Sequence, residues 1–205
     1  IYDLDSALRF KEAIESFPGG TIAVGVSRLP FKCPAAPYEV ALLLEDHYQR
    51  KGLRERVNFE FFTPEGAPVP ATGPEIGAQV AGLLAARGIN YRPKRKLLEI
   101  APHELRFEGG ETVPYDLLFC VPPHRAPRPV VDAGLTDGSG WIPVDPATLE
   151  TKVPGVYAIG DVTAVATPNG FVPFLPKAGV FAHGHAETVA HNLAAAIKGR
   201  GKAKD

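Results

Sequence analysis

Methionine is absent from all 205 residues, position 1 included. A translated chain starts with Met, so the expectation is a processed or truncated protein. Cysteine is scarce: Cys33 and Cys120 are the two present. Two are too few for a disulfide framework or a four-cysteine metal site, and leave either one bridge or reactive thiols. Neither sign of charge is in excess, with 22 Lys+Arg against 23 Asp+Glu and a formal net charge of -1. That excludes the basic face on which non-specific nucleic-acid binding depends. No apolar run approaches the ~18–20 residues of a membrane span. No signal peptide is visible either, the start Ile1-Tyr2-Asp3-Leu4-Asp5 being polar.

Glycine and proline are abundant, at 21 each, and hydrophobic residues make up 45%. The two together exceed the usual ~12% and fall short of the ~25–30% of low-complexity chains. The reading is a loop-rich globular protein with a packed core, its loop prolines suggesting heat adaptation. The length allows one domain or two small ones.

The pattern then predicts elements. Asp5 to Ile14 reads as a capped amphipathic helix, so the chain enters a fold already in progress. Thr21 to Val26, bounded by Pro18-Gly19-Gly20, reads as a buried parallel strand. Tyr38 to Lys51 is helical, with Gly52 as its stop; Val57 to Thr63 is a second strand. Pro74 to Arg87 is a second helix with Pro at its start and Gly88 past its end, and Ile89 to Tyr91 a third strand. That alternation is half of a doubly wound nucleotide-binding sheet. Short antiparallel strands follow at Lys96–Ile100, Glu104–Phe107 and Val113, and another buried strand at Asp116–Val121. The proline-rich stretch Pro122–Pro129 marks a boundary, giving domains 1–123 and 124–205. Gly155 to Asp161 is expected to be a strand, and residues 177–197 a long Ala-rich helix. The fold class is α/β, a Rossmann-like half-domain followed by the carboxyl part of a second domain.

Two features bear on chemistry. A strand that delivers Gly160 then Asp161 suits a dinucleotide site: glycine admits close backbone approach, and the carboxylate accepts hydrogen bonds from sugar or ribityl hydroxyls. The same pair could instead be a strand end with a surface Asp. A nicotinamide site wants G-x-G-x-x-G directly after the first strand. Here the loop is Gly25-Val26-Ser27-Arg28-Leu29-Pro30-Phe31-Lys32-Cys33, with one glycine, excess length, Pro30 and bulky Phe31. The expectation is that this domain does not bind NAD(P). His183, His185 and His191 share a helix, but i,i+2 residues do not share a face, so no metal site is expected.

Four segments carry a resemblance: Lys32-Cys33-Pro34-Ala35-Ala36-Pro37-Tyr38-Glu39, Val121-Pro122-Pro123-His124-Arg125-Ala126, Gly140-Trp141-Ile142-Pro143-Val144-Asp145 and Pro176-Lys177-Ala178-Gly179. In this order, over nearly the whole chain, they resemble the sulfide:quinone oxidoreductases and the flavin subunit of flavocytochrome c sulfide dehydrogenase, two-dinucleotide-domain flavoproteins. The resemblance implies an FAD-dependent oxidoreductase whose N-terminal FAD-binding segment, with its glycine-rich loop, lies outside this chain. FAD belongs to the intact protein and would be absent from, or weakly held by, this fragment, which would be inactive alone.

By that resemblance Cys33 is the redox thiol that takes up sulfide sulfur. Lys32 beside it and the helix near Tyr38 favour the thiolate; the plain alternative is a small hydrophobe in a loop. The family's second cysteine follows the Trp of the Gly-Trp segment in the flavocytochrome type, and Ile142 stands there. Cys120 is the remaining candidate, either bridged to Cys33 or a core residue. Glu39 is a proton shuttle or simply an acid at a helix start. Gly160, Asp161, Pro176, Lys177 and Ala178 would meet the cofactor, with Lys177 at the flavin pyrimidine edge. The acceptor is a quinone or a cytochrome; Val180 stands where quinone-site relatives often carry an aromatic. Peripheral membrane association is implied for the full-length protein, with no nucleic-acid partner. Two rivals stand beside this: a type II NADH:quinone oxidoreductase-like flavoprotein, and a non-catalytic flavoprotein-fold remnant acting as a binding module.

Overall fold

The computed structural model describes residues 3–168 and 170–199. It divides into two compact units, one running to Phe31 and resuming over Ala35–His124, the other made of Lys32–Pro34 and the chain from Arg125 onward.

The first unit opens with helix α1 (Leu4–Ser16), started by a capping box. The Asp3 carboxylate accepts the Ser6 N–H at 2.7 Å, and the Ser6 hydroxyl accepts the Asp3 N–H at 3.3 Å. Strand β1 (Gly20–Val26), helix α2 (Ala36–Arg50), strand β2 (Val57–Phe62), helix α3 (Pro74–Ala86) and strand β3 (Ile89–Arg92) then alternate as the sequence predicts. A meander of β4 (Leu97–Ala101), β5 (Glu104–Phe107) and β6 (Thr112–Pro114) precedes β7 (Leu117–Val121). The main sheet is parallel, in the order β3-β2-β1-β7. That is the Rossmann-type half expected, with observed ends within a residue or two of those predicted.

Burial explains why the apolar run of β1 is unbroken: Ile22, Ala23, Val24 and Val26 are all at most 1% exposed, covered on both faces. Tyr38, Tyr48, Phe59, Phe61 and Leu84 complete the core of this unit. Gly25 is required by the β1–β2 approach, since a Cβ there would lie 2.3 Å from the Phe62 carbonyl oxygen. Phe31, counted in the sequence as an obstacle to a diphosphate, is buried.

The second unit has shorter elements: α4 (Arg128–Asp132), β8 (Ile142–Pro143), β9 (Thr163–Ala164) and α5 (Gly179–Ile197). β8 and β9 pair in parallel. Ala126, Trp141 and Ala164 form a small core with Val130, Val162 and Phe174 against it. No described helix of either unit is long and apolar enough to cross a membrane.

Two sequence expectations are corrected here. Gly155–Asp161 is not a strand: Tyr157 makes one isolated bridge, to Glu150, and Gly160–Val162 is a turn of 3-10 helix. The alternation was present, but a strand needs a ladder neighbour. The chain before it curls on itself instead, the Thr151 N–H reaching the Val156 carbonyl at 2.8 Å and the Gly155 N–H the Glu150 carboxylate at 2.7 Å. Val156 and Ile159 accordingly stay 37% and 41% exposed. The last helix also begins two residues later than expected, at Gly179, with Ala178 as its N-cap.

Candidate functional site

Within the second unit, three segments distant in sequence meet at Lys177. The Cys33 N–H donates to the Lys177 carbonyl at 2.7 Å, and Lys32 and Lys177 form a parallel bridge. The Lys177 ammonium reaches the other way, donating to the carbonyls of Asp161 at 2.6 Å and Thr163 at 3.0 Å. It also sits over the Trp141 ring, 3.6 Å from the centroid. The lysine is buried, as is Trp141. Burial pushes the ammonium down to about 8, while the nearby Asp161 charge pulls the other way. Lys177 thus precedes helix α5 and is turned into the protein, which corrects the expectation of a cation presented at the helix start. An ammonium with two carbonyls and an indole face close at hand is better held there than in an apolar wall.

The Gly160–Val162 turn is built from both sides. Gly160 has φ +70, a backbone that side chains beyond glycine rarely adopt, and a Cβ added to it would lie 3.2 Å from the Ala182 Cβ. Its close approach is therefore to α5. Its N–H donates to His185 Nδ1 at 3.1 Å, which leaves the proton of a neutral imidazole on Nε2. Burial holds the His185 pKa below the usual range. The Thr163 hydroxyl closes the turn on the Gly160 carbonyl at 2.7 Å.

Cys33 is exposed, a free thiol in the left-handed region at φ 54. A non-glycine residue held there marks a segment constrained by its partners, here the Lys177 bridge. Lys32 is exposed next to it. Pro176 and Ala178 flank Lys177 and fix the approach to α5. The remaining sequence candidates lie in the first unit. Cys120 is on β7, opposite Gly25 of β1, packed against the cluster of Phe62, Leu105, Phe107 and Val113. Burial pushes its thiol up to about 11, so it stays protonated at neutral pH. Glu39 is exposed in the first turn of α2, where a carboxylate favours the helix by its position alone.

A dinucleotide's polyol chain has a fitting partner in Asp161. Its carboxylate accepts no hydrogen bond from any described group, and it stands beside a glycine turn that brings backbone close. The Lys177 ammonium is already committed to carbonyls. Reading the sequence missed Trp141, Thr163 and His185 as members of this arrangement. The lone Trp and the His at helical spacing from Ala182 were visible, but their partners are backbone atoms, which leave no trace in side-chain chemistry.

A family model described as pyridine nucleotide-disulphide oxidoreductase matches residues 62–194. The mitochondrial sulfide:quinone oxidoreductase of Mus musculus is 26% identical over 188 residues, covering 87% of this chain and 41% of the mouse protein. That of Schizosaccharomyces pombe is 30% identical over 162 residues, covering 74% and 35%. The chain thus spans roughly two fifths of the length of the curated relatives it matches. Among solved structures, the sulfide:quinone oxidoreductase from the hyperthermophilic bacterium Aquifex aeolicus superposes with a TM-score of 0.79 at 24% identity, covering 96% of this chain and 48% of that one. This last likeness establishes the fold.

Proposed function

Because the chain belongs to the pyridine nucleotide-disulphide oxidoreductase family, we propose that it serves an FAD-dependent oxidation of sulfide or a related sulfur species, with Cys33 as the thiol that receives sulfur and a quinone or cytochrome as the final acceptor. The curated relatives named as sulfide:quinone oxidoreductases support the substrate class. The observation that carries the reading is the Cys33 amide held on the Lys177 carbonyl, which puts an exposed thiol on the same small framework as Gly160 and Asp161.

The residues take the following parts. Asp161 would accept hydrogen bonds from the polyol hydroxyls of FAD, and Gly160, by its left-handed backbone, would set the turn that carries it. FAD, when bound, would supply the two-electron acceptor that this thiol chemistry requires. Cys33 forms the new sulfur–sulfur bond: hydrosulfide and the thiol become a persulfide, with loss of one proton and two electrons. Exposure lets the small substrate reach Cys33, and the Lys177 bridge fixes the direction of attack. Cys120, half-buried and protonated, has a packing role in this scheme, and Glu39 a helix-start role.

The test is anaerobic addition of sulfide to the FAD-loaded protein from the complete reading frame, followed by flavin absorbance. Bleaching by sulfide that is lost in Cys33→Ser supports the proposal. Bleaching by NADH instead would replace it with an NADH dehydrogenase reading, and a protein that purifies without flavin would replace it with a binding module.

A further inference from the structure

Cys33 and the Gly160–Thr163 turn are brought together by one residue, through its main chain on one side and its side chain on the other. Lys177 offers its carbonyl to the Cys33 N–H at 2.7 Å and its ammonium to the carbonyls of Asp161 and Thr163 at 2.6 and 3.0 Å. Trp141 closes over that ammonium at 3.6 Å from the ring centroid. The placement of the indole follows from the chain: Trp141 immediately precedes β8, and β8 pairs with β9, which begins at Thr163. Each partner is thereby fixed by a separate piece of backbone, and lysine is the group that spans them.

We propose that Lys177 is a positioning residue for Cys33, with Trp141 as its cover, so that the thiol segment is locked to the Gly160–Thr163 turn for as long as the lysine side chain is seated. The proposal rests on Cys33 being the working thiol only for its relevance to turnover; the coupling itself is a property of this chain alone.

The reasons are energetic. A buried ammonium left without acceptors is costly, and here two carbonyls and an aromatic face substitute for water. Removing the amino group abolishes both carbonyl bonds and the contact with the indole face at once. Titratable groups on the segments around it are Asp161 on the turn, Lys32 and Cys33 on the bridged segment, and His185 on α5. Burial lowers the Lys177 pKa to about 8, so the seated lysine holds its proton less tightly than a solvent-exposed one, and the lock is expected to tighten on mild alkalinisation. The sign is that of a lowered lysine pKa: the seated state releases its proton first, so seating is favoured as pH rises through about 8.

One tryptophan in 205 residues makes the test local. Trp141 fluorescence is followed from pH 6 to 10 on the full chain, with hydrogen exchange of single amides corrected for the intrinsic pH dependence. The expectation is a fluorescence inflection in the wild type that disappears in Lys177→Met and persists in Cys33→Ser. Protection of the Cys33 amide should rise about tenfold across the same inflection in the wild type, and fall by as much in Lys177→Met at pH 6.5. The amides of Thr151 and Ala158, bonded to the Val156 and Leu149 carbonyls in the same unit, should hold. Equal acceleration at Thr151 and Ala158 would reduce Lys177 to ordinary packing and overturn the proposal. So would unchanged Cys33 protection in the wild type on both sides of the inflection, a result that does not depend on any variant folding. Sulfide-driven flavin reduction is a separate measurement, so its failure would strike the functional reading and leave this one standing.

Discussion

The Tyr38 hydroxyl donates to a carboxylate oxygen of Glu65 at 2.8 Å, and both side chains are buried, at 3% and 6% exposure. The Thr63 hydroxyl donates to the same oxygen at 3.1 Å. Burial raises the Glu65 pKa, and the two hydroxyls pull it back only in part. The folded chain therefore binds this proton more tightly than the unfolded one. The stability it contributes is complete below the ordinary glutamate range and is lost as pH rises through the folded value. Glu65→Gln is expected to be near neutral at pH 4 and stabilising at pH 8, read from urea midpoints at the two pH values. A loss of stability at pH 8 would contradict this account.

The two thiols should separate cleanly on labelling. A thiol titrating at about 11 is only about 0.1% thiolate at pH 8, and Cys120 is also shielded on β7. Cys33 is exposed. With limiting iodoacetamide, peptide mass spectrometry should find Cys33 alkylated at least about tenfold faster than Cys120. Comparable rates would mean that β7 opens readily.

Gly160→Ala should cost about 1–2 kcal/mol, the penalty for a side chain at a left-handed position. The new methyl would also press on the Ala182 Cβ at 3.2 Å. Denaturant unfolding monitored at Trp141 gives the number. An unchanged midpoint would show that the turn relaxes without loss.

His185 supplies a pH dependence of the opposite sense from Glu65. Its Nδ1 accepts the Gly160 N–H, and burial depresses its pKa. The unfolded chain takes up this proton first, so the contribution is present above about 6.5 and fades as pH falls through the folded value. Exchange of the Gly160 amide should therefore lose protection on acidification in the wild type. In His185→Phe it should be fast at every pH.

How much of this was legible beforehand depends on what kind of partner each residue has. The first unit was readable because its signals are local: the capped amphipathic start from Asp5, Pro74 at a helix start, and the continuous apolar runs of β1 and β7 all act within a few residues. Gly160–Asp161 is read from the sequence as the end of a strand and lies instead in a 3-10 turn; the strand before it is not formed, because apolar alternation specifies a face and not a ladder neighbour. Of the two places the sequence allows Lys177, solvent is excluded: its ammonium is buried on carbonyls of residues 14 and 16 positions away. Nothing in side-chain order announces a main-chain acceptor. The same holds for His185, set aside with His183 and His191 because the three make no metal face, while its partner is a single amide.

The second unit borrows Lys32–Pro34 from a stretch of chain nearly a hundred residues upstream of Arg125. Anyone excising this half for separate expression by cutting before Arg125 would discard the tripeptide that bridges Lys177, and with it the thiol. Grafting that tripeptide back by circular permutation, or adding it as a short peptide in trans, is the way such a dissection would have to be done.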